Sequence, residues 1–529
     1  MTPFQEFRYW IRRAPAGERS AAAMAGALAL VVLVWVLIPS SSTGTPSSLA
    51  TDFGGSSTGT TGTSAPGTST TGTGGTTAPT TGTSGTAATG ATGTLPGTAT
   101  SGSATSGTTG GIPTSGGATS AGTTGGGQAC PAGNGPGVSA SRLKIAVILV
   151  NIVGPAANSL FGISTPAQQQ AFFEAAIKDA NASGGAGCRQ ITAQYFKGNP
   201  TDQNNLNQIC LDIQAAGVAA VLDGGAYAQY PLVDCYARAG IPYFGGYLIS
   251  GTQQQKYFPY LFEFNTLDRL YKDAVLALKA RGFFDKAKGF QMLGFVYRDC
   301  DPTMISNQKR LLASIVGSAM VSYNVGCPSA LANPADIQQA VLSFQRAGVT
   351  HVTTASFVGD FASFTKTAQQ QKFTPRYGLA DDSLVALSYG SQAPDPDNIA
   401  DAVAISAGRS AEETTPGTKP SAGTVRCNAA FKKYGNLGNV YKLPYGSGNS
   451  CALVSMFDAA ADHAPVLQRN AFAAGLQRAK SVEMSFPQGP NDFTGNRITT
   501  GGQYWRPLQF HLSCKCWQIT NRTFSRSFS

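Results

Sequence analysis

The feature that most constrains this chain is a rhythm. RLKIAVILV (142–150) is an apolar run, and AQQQAFFEAAIKDANASGGAG (167–187) behind it has helical character. ITAQYF (191–196), VAAVLDGG (218–225) and AGIPYFGG (239–246) follow, with helical patterns between them. Strand, helix and strand at this pace imply βαβ units and a parallel sheet. Open parallel sheets take their ligands beyond the carboxyl ends of the strands. Here those ends are residues 151–158, 224–227 and 245–249. The glycine-rich GGAG (184–187) follows a helix, so it reads as a C-cap and turn and not as a nucleotide cradle.

A second block repeats the rhythm. TLDRLYKDAVLALKARGFFDKAKG (266–289) is a predicted helix, with Leu267, Leu270, Tyr271, Ala274, Val275 and Leu278 on one face. Strands are expected at 290–299, 320–325, 350–357 and 376–381, and helices at 304–318, 334–348 and 360–371. The pattern then changes. Residues 398–408 read as a strand or connector, and a polar region with Cys427 and Cys451 follows. Residues 452–470 and 471–480 look helical, and RPLQFHLSCKCWQI (506–519) alternates like strand. A region of this length is long for one domain and natural for two.

The first 140 residues obey different physics. AAAMAGALALVVLVWVLIP (21–39) is uncharged and mostly apolar. At about 1.5 Å per residue it matches the thickness of a hydrocarbon core. Arg8, Arg12, Arg13 and Arg19 precede it, and no Lys or Arg follows until Arg142. That asymmetry predicts a single transmembrane anchor, with residues 1–20 cytoplasmic and the remainder outside the cell. A cleaved signal peptide is the competing reading. The charged region ahead of the span is long for one, and Ile38-Pro39-Ser40 is a poor cleavage sequence. Residues 40–129 are almost entirely Thr, Gly, Ser, Ala and Pro. Such a tract buries too little apolar surface to offset its chain entropy. It is expected to be a disordered linker with a reach of roughly 50 Å.

All ten cysteines lie beyond the linker: Cys130, Cys188, Cys210, Cys235, Cys300, Cys327, Cys427, Cys451, Cys514 and Cys516. An even number in an exported domain implies a disulfide framework. Connectivity is formally open, and neighbour pairing is the simplest choice. Cys514-Lys515-Cys516 is expected to close a C-terminal hairpin or to pair with other cysteines. A metal or redox pair is the alternative there, although only His511 stands near as a further zinc ligand.

Net charge is +10, without a dense basic run or interleaving of Arg with aromatics. A basic surface facing an anionic cell envelope explains it better than nucleic-acid binding. The three histidines, His351, His463 and His511, form no catalytic motif. No nucleophile elbow, metalloprotease motif or phosphate loop is present, so no enzyme activity and no cofactor are expected.

Four stretches in order carry a family resemblance. LKIAVILVNIVGP (143–155), with the helix and second strand after it, is the first. VAAVLDGGAYAQYPLVDCYARAGIPYFGGY (218–247) is the second, and TASFVGDFASFTKTAQQQKFTPRYGLADDS (354–383) the third. FDAAADHAPVLQRNAF (457–472) with FTGNRITTGGQYWRPLQF (493–510) is the fourth. Together they resemble the type I periplasmic solute-binding proteins, in particular the branched-chain amino acid (Leu/Ile/Val) binding group of ABC importers. The resemblance implies an α/β fold of two lobes with parallel sheets flanked by helices. Lobe 1 would span 141–262 with about 408–485, and lobe 2 263–407 with about 486–529. Three hinge crossovers would fall near 262–266, 402–408 and 485–492, with solute held between the lobes.

It also implies site residues. Gly225, Ala226 and Tyr227 after the third strand, and Tyr247 and Leu248 after the fourth, fall where the family holds a ligand carboxylate. They replace the family's hydroxyls with glycine, backbone amides and phenols, and the two tyrosines could equally shape only the cleft rim. Asp381 and Asp382 fall where the family holds the ligand ammonium, or one caps a helix. Phe357 occupies an aromatic position. Asp301 lies in Asp299-Cys300-Asp301-Pro302, which replaces the family's Tyr-Gly.

The implied function is a membrane-anchored, extracytoplasmic solute receptor for a small polar ligand: an amino acid, an amide or a related compound. An ABC permease would be its partner. The alternative is a cell-surface sensor or interaction protein that reuses the fold without transport. Fold alone does not separate them.

Overall fold

A computed structural model describes residues 130–528, apart from 153–157, 159–161, 201, 225–229, 247–248, 328–331, 356–357, 380–393 and 445. The apolar segment 21–39 and the linker therefore lie outside the described residues. Among the described residues, no helix is long and apolar enough to cross a membrane.

The first sheet has five strands in the order β2-β1-β3-β4-β5. These are β1 (Arg142–Val150), β2 (Gln190–Gly198), β3 (Ala220–Asp223), β4 (Tyr243–Phe244) and β5 (Leu261–Phe262). Every pairing in it is parallel. β1 is central, which explains its unbroken apolar run: Leu143 and residues 145–150 are all buried. Helices α1 (Pro166–Ala182), α2 (Gln203–Ala216) and α3 (Tyr230–Arg238) alternate with the strands, and a short helix α4 (Gly251–Lys256) precedes β5. Thr165 and Gln168 start α1 with a reciprocal capping box, and Pro166 takes its first turn.

The second sheet runs β12-β11-β10-β9-β8-β6-β7. Its strands are β6 (Leu293–Tyr297), β7 (Met320–Asn324), β8 (His351–Ala355), β9 (Arg376–Leu379), β10 (Val403–Ser406), β11 (Tyr504–His511) and β12 (Cys516–Ile519). β13 (Ser525–Arg526) pairs with β11 off this path. The strands from β6 to β10 are mutually parallel, β11 is antiparallel to β10, and β12 is antiparallel to β11. Helices α5 (Leu267–Ala280), α6 (Pro302–Val316), α7 (Pro334–Arg346) and α8 (Val358–Gln370) alternate with these strands.

After β10 the chain returns to the first lobe as α9 (Ala422–Ala430), α10 (Ser447–Asp462) and α11 (Phe472–Ala479). Their apolar faces join one core with β1 and α1, through Leu453, Met456, Phe457 and Phe472 against Phe172, Phe244 and Phe262. A second core fills the other face of that sheet, around Ile148, Ile213, Val221 and Tyr236. Two more cores cover the two faces of the second sheet.

Three differences from the sequence expectation have local causes. The helix expected over 266–289 stops at Ala280, because Gly282 turns left-handed (φ 71) and a separate 3-10 turn follows. The helix expected at 452 starts at Ser447, where the polar Ser447-Gly448-Asn449-Ser450 run is buried. A Cβ on Gly448 would lie 1.7 Å from the Phe486 carbonyl oxygen, so only glycine lets the two backbones approach. The same helix ends at Asp462 and not at residue 470.

The disulfides are Cys130–Cys188, Cys210–Cys235, Cys300–Cys327, Cys427–Cys451 and Cys514–Cys516. Each cysteine pairs with its neighbour in sequence, as the simplest arrangement required, and the last pair sits at the tip of the β11–β12 hairpin. No described cysteine is free. Among the described residues, no group of His, Cys, Asp and Glu comes together that could hold a metal ion.

Candidate functional site

Each sheet sends its carboxyl edge towards the segments that cross between them. β5 leaves its sheet at Phe262 and enters a crossover, where the Glu263 amide donates to the Thr499 carbonyl at 3.2 Å. β10 leaves the second sheet at Ser406 and enters another, where the Arg409 amide donates to the Pro487 carbonyl at 2.7 Å. Bridges Glu263–Thr500 and Gly408–Gln488 pair both with the third crossing segment. The strands within each parallel set run the same way. The carboxyl ends of β1, β3 and β4 therefore point to the same side as β5, and those of β6, β8 and β9 to the same side as β10. Both sets look into the space beside the crossovers, where solute sites of such sheets lie.

Two buried side-chain amides sit at the end of β1. Gln169 accepts from the Val150 amide (2.7 Å) and donates to the carbonyls of Val150 (3.0 Å) and Ser164 (2.7 Å). Asn158 donates to the same two carbonyls (2.8 and 3.0 Å) and accepts from the Ile152 amide (2.9 Å). An unpaired buried polar group is costly, and these partners tie Asn158 and Ser164 to the end of β1.

Two buried carboxylates stand at the ends of β3 and β5. Asp223 ends β3, is fully buried, and accepts from the Tyr243 hydroxyl at 2.5 Å. Burial first, and the Asp223 charge second, push the Tyr243 phenol well above its ordinary pKa, so it stays a donor. Glu263 is also fully buried. A Cβ on Gly245 would lie 2.5 Å from its Oε1, so the glycine after β4 leaves room for that carboxylate. Gly224 is equally constrained, since a Cβ there would meet Phe173 at 2.5 Å. Gly224 and Gly245 are thus packing requirements.

In the second lobe, Arg298 directly follows β6. Its Nε and second terminal nitrogen donate to the two oxygens of Asp360 on α8, at 2.5 and 2.8 Å. Both side chains are buried, and Asp360 also accepts from the Ala332 amide. Fork-to-fork pairing of this kind is the strong form of an Arg–carboxylate contact. Beside it, Cys300–Cys327 ties the loop after β6 to the loop after β7.

Of the residues singled out from sequence, Asp301 is described. It caps α6, accepting from the Met304 amide at 3.0 Å. Gly225, Ala226, Tyr227, Tyr247, Leu248, Phe357, Asp381 and Asp382 lie outside the described residues. Sequence reasoning missed Gln169, Asn158 and the Arg298–Asp360 pair. A signal did exist for Arg298, because a charge following Leu-Gly-Phe-Val-Tyr at the end of a buried strand demands a partner. Nothing local marks Gln169, one of three consecutive glutamines.

Residues 148–510 match the family model described as periplasmic binding protein. No curated protein matches the sequence. Among solved structures, the chain is similar to an extracellular ligand-binding receptor from Verminephrobacter eiseniae (12% identity, TM-score 0.52), covering 72% of this chain and 100% of that one. It is similar to a periplasmic binding protein type 1 from Bordetella pertussis (15% identity, TM-score 0.53), with 72% and 99% covered. It is also similar to a branched chain amino acid ABC transporter protein from Thermus thermophilus with bound valine (13% identity, TM-score 0.52), with 74% and 97% covered. At such identities the likeness is one of fold.

Proposed function

Because this chain belongs to the periplasmic binding protein family, which binds solutes and is not enzymatic, we propose that it is a receptor delivering a small polar ligand to an ABC importer. The observation that carries the reading is that both sheets direct their carboxyl strand ends towards the crossing segments. That arrangement suits a ligand held between lobes that close by a hinge. The ligand is an amino acid, an amide or a related compound. Asp381 and Asp382 face its cationic end, and the loops at 225–227 and 247–248 face its other end, with Phe357 against its apolar part. Residues 21–39 anchor the receptor as a single membrane-spanning helix, with the folded region outside the cell on the linker.

A thermal-shift screen of the protein against amino acids, amides and aromatic acids tests this. A ligand at a hundred times its Kd adds about 2.7 kcal/mol of stability. The expected result is a hit that Asp381→Ala or Asp382→Ala abolishes. Absence of any hit, with the fold verified by circular dichroism, would count against the receptor reading.

A further inference from the structure

Four of the disulfides tie distant parts of the chain together, with sequence separations of 58, 25, 27 and 24 residues. The fifth, Cys514–Cys516, has a separation of 2. A cross-link stabilises mainly by restricting the unfolded chain, and a link this short restricts very little. The hairpin it closes is already held. His511 and Cys516 are ladder partners, and Trp517 is fully buried with its carbonyl accepting from the Thr414 hydroxyl. Stability therefore does not account for this bridge.

Its surroundings suit thiol chemistry. Cys514 is exposed at the turn and Cys516 is buried, so one sulfur is open to attack and the other is sheltered. The Gln518 side-chain nitrogen lies 3.8 Å from the Cys514 Sγ and 4.0 Å from the Cys516 Sγ. The Thr414 carbonyl fixes it there, at 3.3 Å. Lys515 stands between the two cysteines with a left-handed backbone (φ 49). A fixed N–H donor beside a sulfur favours its thiolate form, the form that leaves and attacks.

We propose that Cys514-Lys515-Cys516 is a thiol–disulfide exchange site that accepts two electrons from a dithiol on another protein. The partner's thiolate attacks the exposed Cys514 Sγ. The Cys514–Cys516 bond breaks, and Cys516 leaves as a thiolate stabilised by Gln518. The partner's second thiolate then attacks its own sulfur in the mixed disulfide and releases Cys514. The partner ends as a disulfide, and this chain gains two thiols and two protons. Because Trp517 and the β11–β12 ladder persist, the exchange proceeds without unfolding the lobe.

The test is a titration of the intact protein with dithiothreitol, read by differential alkylation and mass spectrometry. Half-reduction of Cys514–Cys516 is expected at a concentration at least tenfold below that of any other bridge, with an unchanged circular dichroism spectrum. Reduction together with the other four, or only on unfolding, overturns the proposal. Gln518→Leu is expected to slow the exchange several-fold at unchanged melting temperature. A wild-type rate in it would equally overturn the proposal, since the leaving thiolate would then owe nothing to its surroundings.

Discussion

The Arg298–Asp360 pair offers the sharpest check on how the second lobe is held. Both side chains are buried, and each Asp360 oxygen accepts from the guanidinium. Removing one partner leaves the other's charge in a low-dielectric site, at a cost of about 3–5 kcal/mol. With roughly 400 folded residues melting as one unit, the unfolding entropy is about 0.8 kcal/mol/K. Asp360→Ala and Arg298→Ala should therefore each lower the Tm by about 4–6 °C. The double variant Arg298→Met with Asp360→Leu removes both charges at similar volume. It should recover most of that loss, giving a coupling of at least about 2 kcal/mol. Differential scanning calorimetry measures all of these variants. Single variants that melt within 2 °C of wild type, or a double variant that loses the sum of the two, would refute the argument that a buried pair braces the end of β6 against α8.

Asp458, on α10, has its pKa raised to about 7 by burial first and the neighbouring Asp462 charge second, with Asp179 adding to the shift and Arg426 opposing it. The protonated form therefore favours the fold. That contribution is complete below the unfolded value near 4 and is lost as pH rises to 7. Asp458→Asn should stabilise the protein at pH 8, by at most on the order of 4 kcal/mol, and hardly at all at pH 4; urea unfolding at the two values decides it. Gly224→Ala drives a methyl into Phe173 and should cost about 1–3 kcal/mol, seen as a lower urea midpoint with unchanged m-value. Replacing Cys210 and Cys235 by alanine opens a bridge of separation 25 and should cost about 3 kcal/mol, whereas the same change at Cys514 and Cys516 should barely move the urea midpoint.

Much of this fold is legible in the sequence because its elements have local causes. The run at 142–150 is continuous and apolar because a central parallel strand is covered on both faces, and β1 occupies those same residues. The helix expected from 334 is α7, which Asn333 caps and Pro334 opens, and the ten cysteines pair with their neighbours. Tertiary structure alone decided the rest. Ser447-Gly448-Asn449-Ser450 reads as a polar loop, yet it is helix, because it is buried where Gly448 meets the Phe486 carbonyl, 38 positions away in the chain. Gln169 is indistinguishable from its neighbours until the fold brings it to the end of β1. Arg298 and Asp360 find each other across 62 residues. Periodicity and capping act within a few residues and leave a trace in any window of sequence. The polar contacts that shape the strand-end loops join segments far apart in the chain, so their partners become visible only once the sheets have formed.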